Sequence, residues 1–143
     1  MPISGDALIE RLNELLSDEL SAMVRYLHHS FMVFGPNRFG IRDYYRQQAG
    51  ESMAHAQQLG EKITALGGHP TTRVAPIPEP GSHSWEQMFQ ENLEGEKAAL
   101  KKYQDLLREI DPHDVALDAI LRGIILEETA HIEDIEKMLR KAG

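Results

Sequence analysis

The sequence predicts an all-α domain: an antiparallel four-helix bundle whose second and third helices are joined by a long crossover. Three observations predict it. Apolar side chains recur at spacings of three and four through four separate segments, the period of one helix face. Between the second and third segments lies a stretch carrying Pro70, Pro76, Pro78 and Pro80, too long and too stiff for a tight hairpin. The chain also reads as two similar halves. Glu51-Ser52-Met53-Ala54-His55 and Glu127-Glu128-Thr129-Ala130-His131 both have the form Glu-x-x-Ala-His. Glu19 stands seven residues before Tyr26, and Glu96 seven before Tyr103.

Composition narrows the class. At 143 residues the chain is one domain with room for its own core. No apolar run is long enough to span a bilayer, so no membrane helix is expected. Met1-Pro2-Ile3-Ser4 opens none of the charged and apolar regions of a signal peptide. The absence of Cys excludes disulfides and thiolate metal sites; with no leader, it makes a cytoplasmic protein the expectation. Seven His and 23 acidic residues leave nitrogen and oxygen as metal ligands, which suit iron, manganese or zinc. A net charge of −8 disfavours direct DNA binding by phosphate neutralisation and favours the attraction of cations.

The first helix is expected over about residues 4–34. Ser4 is a plausible N-cap with Asp6 in the first turn. Leu8, Leu12, Leu15, Glu19, Met23 and Tyr26 then form one face, which Glu19 interrupts with a carboxylate where an apolar side chain belongs. A carboxylate on a buried face is costly unless paired or metal-bound. Gly35-Pro36-Asn37 is a turn signal. The second helix is expected over 41–66, with Tyr45, Gln48, Ser52, His55, Leu59, Ile63 and Leu66 inward. His55 is central to that stripe. The residue three before it is Ser52, and Glu51, four before, lies on the flank. From there Glu51 either reaches a metal through a small rotation or remains a surface carboxylate.

Gly67-Gly68-His69-Pro70 closes this helix. The crossover that follows implies that helices two and three run parallel. His69 and His83 are expected on its surface. Ser84-Trp85-Glu86-Gln87 resembles a capping box for a third helix over 85–109. Its inward stripe is Met88 or Phe89, Leu93, Glu96, Leu100, Tyr103 and Leu107; Glu94 lies off the stripe. Asp111-Pro112-His113-Asp114 makes a short turn, so the fourth helix, over 114–141, should run antiparallel to the third. Leu117, Leu121, Ile124, Glu128, His131, Ile135 and Met138 keep near-perfect spacing along it, and Glu127 is on the flank.

The chemistry is concentrated in that repeat. Glu and His three or four apart on a helix lie together on one face. A two-metal site inside a bundle needs a carboxylate from each of two helices and a carboxylate with a His from each of the other two. Glu19, Glu51, His55, Glu96, Glu128 and His131 supply that inventory. Tyr26 and Tyr103 are candidates to hydrogen-bond these ligands, or else core residues with satisfied hydroxyls.

On Glu19 with Tyr26, Ser52-Met53-Ala54-His55, Glu96, and Glu128-Thr129-Ala130-His131, the chain resembles the ferritin superfamily. Within it the similarity is to bacterioferritins and the bacterioferritin-like members of the Dps group, the mini-ferritins, over essentially the whole length. The resemblance implies a homo-oligomeric cage whose subunits each hold a di-iron ferroxidase centre, two irons per chain. Such a centre oxidises Fe(II) with dioxygen or hydrogen peroxide, and ferric mineral is stored inside. It implies Glu19, Glu96, His55, Glu128 and His131 as ligands. The family's Glu-x-x-His is here Ser52-x-x-His55, so either Glu51 substitutes or one metal position is weakened. Met53 occupies the place of the haem-binding Met of bacterioferritins, which makes it a candidate haem ligand or a residue packed in a subunit interface. The chain ends five residues after Met138, without a fifth helix, which favours twelve subunits over 24. Two alternatives stay open: a haem-binding or structural cage with an impaired centre, and a non-storage di-metal peroxide reductase.

Overall fold

A computed structural model of the chain describes residues 1–78 and 82–140. Four helices account for the regular structure of the described residues: α1 (Gly5–Phe31), α2 (Arg38–Ala65), α3 (Trp85–Glu109) and α4 (Val115–Leu139). α1 packs on α2 and α3 on α4, and the two hairpins meet through α1 against α3 and α2 against α4. The pairings fix the directions. Tyr26 meets Tyr45 at one end of the first hairpin, while Gly68 approaches Ile9 at the other. Tyr45 also meets Phe89, so α2 and α3 begin at the same end and run parallel, as the long crossover requires. The crossover returns along α1. The Asn13 amide donates to His69 O at 3.0 Å, and its Oδ1 accepts from Thr71 N at 2.8 Å. Pro80 of this segment lies outside the described residues.

Helix limits differ from those expected where local chemistry intervenes. α1 stops at Phe31, and the chain turns through Gly35 at φ +99°, a region that a side chain resists. α2 starts earlier than expected because Arg38 anchors its first turn, its Nη1 donating to Ser30 O and Val33 O. Ser4 occupies the N-cap position of α1 but makes no side-chain cap bond. Ser84 does cap α3, accepting from Gln87 N at 3.2 Å, and Asp114 caps α4 through Leu117 N at 3.1 Å. The expected end of the fourth helix, Lys141, lies outside the described residues. Leu66 and Met138, placed on inward stripes, are exposed, since both fall at helix ends beyond the cover of a neighbouring helix.

The core is divided. One apolar cluster, around Leu12, Leu59, Leu106, Leu117 and Leu121, fills the end where α1 begins. A second, around Tyr26, Tyr45, Met88, Phe89 and Ile135, fills the other. Between them lies a buried polar layer that includes Glu19, Ser52, His55, Glu96, Glu128 and His131. Three carboxylates buried at mid-bundle are a large desolvation penalty unless a cation or a set of donors answers them.

Candidate metal centre

The layer resolves into two triads. Glu19, His55 and Glu128 bring ligand atoms within 4.8 Å of one another, and so do Glu96, Glu128 and His131. All five residues are buried, and Glu128 belongs to both triads. His55 Nδ1 stands 3.4 Å from Glu19 Oε1 and 3.6 Å from Glu128 Oε1. Such gaps are what two atoms have when each lies about 2.0–2.2 Å from a common ion. Both imidazoles and two of the carboxylates also bring an unpartnered atom to this layer: Glu19 Oε2, Glu128 Oε2, His55 Nδ1 and His131 Nδ1 are buried without a hydrogen bond. A buried polar atom without a partner is uncommon, and four converging on one layer fit a cation-binding site.

The far nitrogen of each imidazole is held from across the bundle. His55 Nε2 meets Glu127 Oε2 of α4 at 2.5 Å, and His131 Nε2 contacts Glu51 Oε2 of α2. A carboxylate on one nitrogen fixes the tautomer and leaves the other nitrogen to a metal. Glu51 therefore does not join either triad. Neighbouring residues on a helix point about 100° apart, so Glu51 and Ser52 flank His55 on opposite sides. Ser52 is buried facing the layer and Glu51 turns towards α4. Glu127 and Glu128 divide in the same way about His131. The pairing of Glu127 with His55 is absent from the sequence expectations, although a Glu four before each His was a visible signal for it.

The two halves also interlock through the tyrosines. Tyr103 Oη donates to Glu19 Oε1 at 2.8 Å, and Tyr26 Oη donates to Glu96 Oε1. Each tyrosine thus serves the carboxylate of the other half. Burial, reinforced by the neighbouring carboxylate, raises both phenols well above their ordinary range and keeps them as donors. Burial pushes the Glu96 carboxyl up, against the Tyr26 hydrogen bond. For His55, burial acts downward, but the Glu19 and Glu127 carboxylates outweigh it and hold the imidazole at about 9. Without a metal, His55 is therefore a cation that partly neutralises the layer.

Two openings reach the layer. A cavity of about 200 Å³ between α1 and α3 has Glu19, Glu96 and Glu128 in its lining, with Asp18 and Lys102 nearer solvent and Ala75 and Pro76 of the crossover alongside. On the opposite face, between α2 and α4, His55 and Glu127 line a second opening. Other candidates lie away from the layer. Met53 and Glu94 are exposed, as is His69. His83 is not the surface residue expected: it is half-buried and packs against His28 and His29.

Comparison with known proteins agrees with this fold. The ferritin-like domain profile matches residues 9–142. The bacterioferritin of Streptomyces coelicolor is 28% identical over 141 residues, covering 96% of this chain and 83% of its own. The nutrient stress-induced DNA-binding protein of Synechococcus is 27% identical over 135 residues, 87% of this chain and 77% of its own. A crystal structure of ferritin-like, diiron-carboxylate proteins from Bacillus anthracis superposes with a TM-score of 0.89 at 29% identity, covering 96% of this chain and 100% of that one. With four helices joined by one long crossover around two linked carboxylate–histidine triads, the chain belongs to the ferritin-like domain family.

Proposed function

We propose that this chain oxidises Fe(II) at a two-metal centre and stores the ferric product within a homo-oligomeric cage of twelve subunits. The observation that carries the reading is the pair of buried triads joined by Glu128, in which Nδ1 of both imidazoles and Oε2 of Glu19 and of Glu128 lack hydrogen-bond partners. In this reading Glu19, His55 and Glu128 hold one substrate iron, and Glu96, His131 and Glu128 the other. Glu51 and Glu127 are positioning residues that orient the two imidazoles. Carboxylate-rich ligation stabilises Fe(III) over Fe(II) and makes electron loss easier. Two Fe(II) ions side by side deliver two electrons to one oxidant. With two protons, dioxygen becomes hydrogen peroxide, or hydrogen peroxide becomes two waters. The opening between α1 and α3, lined by Glu19, Glu96 and Glu128 together with Arg25 and the Asp18–Lys102 pair, gives iron one way in, and the opening beside Glu127 offers a separate way out.

The cage is supported by exposed apolar side chains such as Phe34, Phe39, Val115 and Leu126, and by a groove between Phe39, Trp85 and Met138. An apolar groove of this kind marks an association face. Sedimentation should give a mass of many subunits; a monomer or dimer would favour the non-storage peroxide reductase. Met53, 49% exposed on the outer side of α2, favours a second reading in which two copies share a haem; a haem absorption band in protein from haem-replete cells tests it. The Synechococcus relative binds DNA by name, but a net charge of −8 argues against direct binding here. A tight gel shift at low salt would overturn that judgement.

The test of the oxidase reading is a Glu128→Ala/His131→Ala variant. Its fast phase of aerobic Fe(II) oxidation should disappear while its far-UV circular dichroism stays helical. An unchanged rate would sink the assignment.

A further inference from the structure

The opening between α1 and α3 carries a charge that the proposed oxidation leaves unused. Its lining combines the buried carboxylates of Glu19, Glu96 and Glu128 with the more exposed Asp18, Lys102 and Arg25. Lys102 Nζ donates to Asp18 Oδ2 at 2.7 Å, so those two charges cancel. Arg25, half-buried, has no such partner. Its side chain donates from Nε to Asn92 Oδ1 at 2.9 Å, and among the described residues neither Nη meets an acceptor or a carboxylate.

Three features hold the guanidinium in that position. Asn92 of α3 is fully buried, and its amide nitrogen donates to His29 Nδ1, 3.1 Å away, which leaves Oδ1 aimed at Arg25. Arg25 Cζ stands over the Tyr26 ring, 5.2 Å from its centroid. On the α3 side the guanidinium lies against Gly95, where a Cβ would come within 3.1 Å of Nη2 and 3.2 Å of Cζ and Nη1. Glycine weakens a helix interior relative to alanine; at position 95 its missing Cβ makes room for the flat guanidinium. One uncompensated positive charge is thus fixed beside the way to three buried carboxylates. The opposite opening, beside Glu127, has no Lys or Arg in its lining.

We propose that Arg25 is a gate charge on the α1–α3 opening, a specificity-determining residue that slows the entry of divalent cations and leaves an uncharged oxidant unimpeded. The proposal rests on the two-metal reading of the layer. Charge in a cleft with low-dielectric walls acts strongly on arriving ions, because solvent screens it poorly there. Arg25 pairs with none of the triad residues, so it governs arrival and not the holding of metal once bound.

The test is stopped-flow binding of Co(II) to the metal-free, full-length protein without oxygen, read from the cobalt absorption bands, so that entry is measured apart from oxidation. Arg25→Gln should bind cobalt about tenfold faster than wild type at an ionic strength of about 0.01 M, and the difference should vanish towards about 1 M. The number of ions bound per chain should not change. Gly95→Ala displaces the guanidinium with its new Cβ, so it should alter the rate in wild type and have no effect beside Arg25→Gln. Equal rates for wild type and Arg25→Gln at low salt would overturn the proposal. So would a difference that persists at high salt, which a purely structural tie between α1 and α3 would give, or an effect of Gly95→Ala that is the same in both backgrounds. Wild type that binds no cobalt would refute the two-metal reading and the gate with it, whereas normal binding at equal rates refutes the gate alone.

Discussion

Replacing Glu51 by Ala separates two roles that this residue could have. If Glu51 orients His131 through Nε2, the triad of Glu96, Glu128 and His131 survives its loss with a looser imidazole. Losing an outer partner of a metal-bound His typically lowers affinity 10–100-fold, or about 1.4–2.7 kcal/mol. The Glu51 side chain is 32% exposed, so water can take its place on His131, which puts the expected loss near the tenfold end. Glu127→Ala should have a smaller effect. Glu127 is 54% exposed, and its removal also weakens the proton that competes with metal for His55. The assay is an anaerobic calorimetric titration of metal-free protein with Fe(II), reading affinity and stoichiometry together. Glu51→Ala should still bind two ions per chain, one about tenfold more weakly. Loss of a whole ion would make Glu51 a direct ligand, and an unchanged affinity would remove it from the centre altogether.

Other consequences follow from the same layer. Tyr103→Phe leaves Glu19 Oε1 without its donor, and should lower the stability of metal-free protein by about 1.5–3 kcal/mol, read from urea unfolding. Ser52→Glu adds a fourth carboxylate facing the triads; the metal-free protein should melt lower and the metal-loaded protein bind more tightly, and a variant that is more stable without metal would contradict the charge balance described here. The pH dependence of the metal-free protein has a defined sign. His55 is held at about 9 against an unfolded 6.5, so its stabilisation is complete below pH 6.5 and is lost as pH rises through 9, at most about 3 kcal/mol. On His55 the melting temperature of metal-free protein should therefore fall from pH 6.5 to 9 and not rise; Glu96, also raised, loses stability with rising pH as well, from its unfolded 4.5 upward.

Much of this was legible in the sequence because a bundle helix exposes its inward face as a periodic stripe. Glu19, Glu96, Glu128 and His131 each break or continue such a stripe, and each is buried in the central layer. The prolines between Gly67 and Ser84 signalled the crossover, and with it the parallel course of α2 and α3. Periodicity gives the angle of a side chain around its own helix but not the helix it will face. That is why the crosswise bonds from Tyr26 to Glu96 and from Tyr103 to Glu19 could not be read in advance. The same limit applies to Glu51. Residues three and four before a His lie on either side of it, and only the position of α4 decides which one enters the layer. His83 lay in a segment without periodicity, so nothing in its spacing pointed to His28 and His29.

The most direct test of a two-metal oxidation centre is an aerobic titration of metal-free protein with Fe(II), following ferric absorbance against iron added per chain. Two triads sharing Glu128 should give a fast phase that breaks near two irons per chain. A slow rise without a break would mean that Ser52, standing three residues before His55 where Glu128 stands before His131, has disabled the centre, and the oxidase reading would give way to a haem-binding or structural cage.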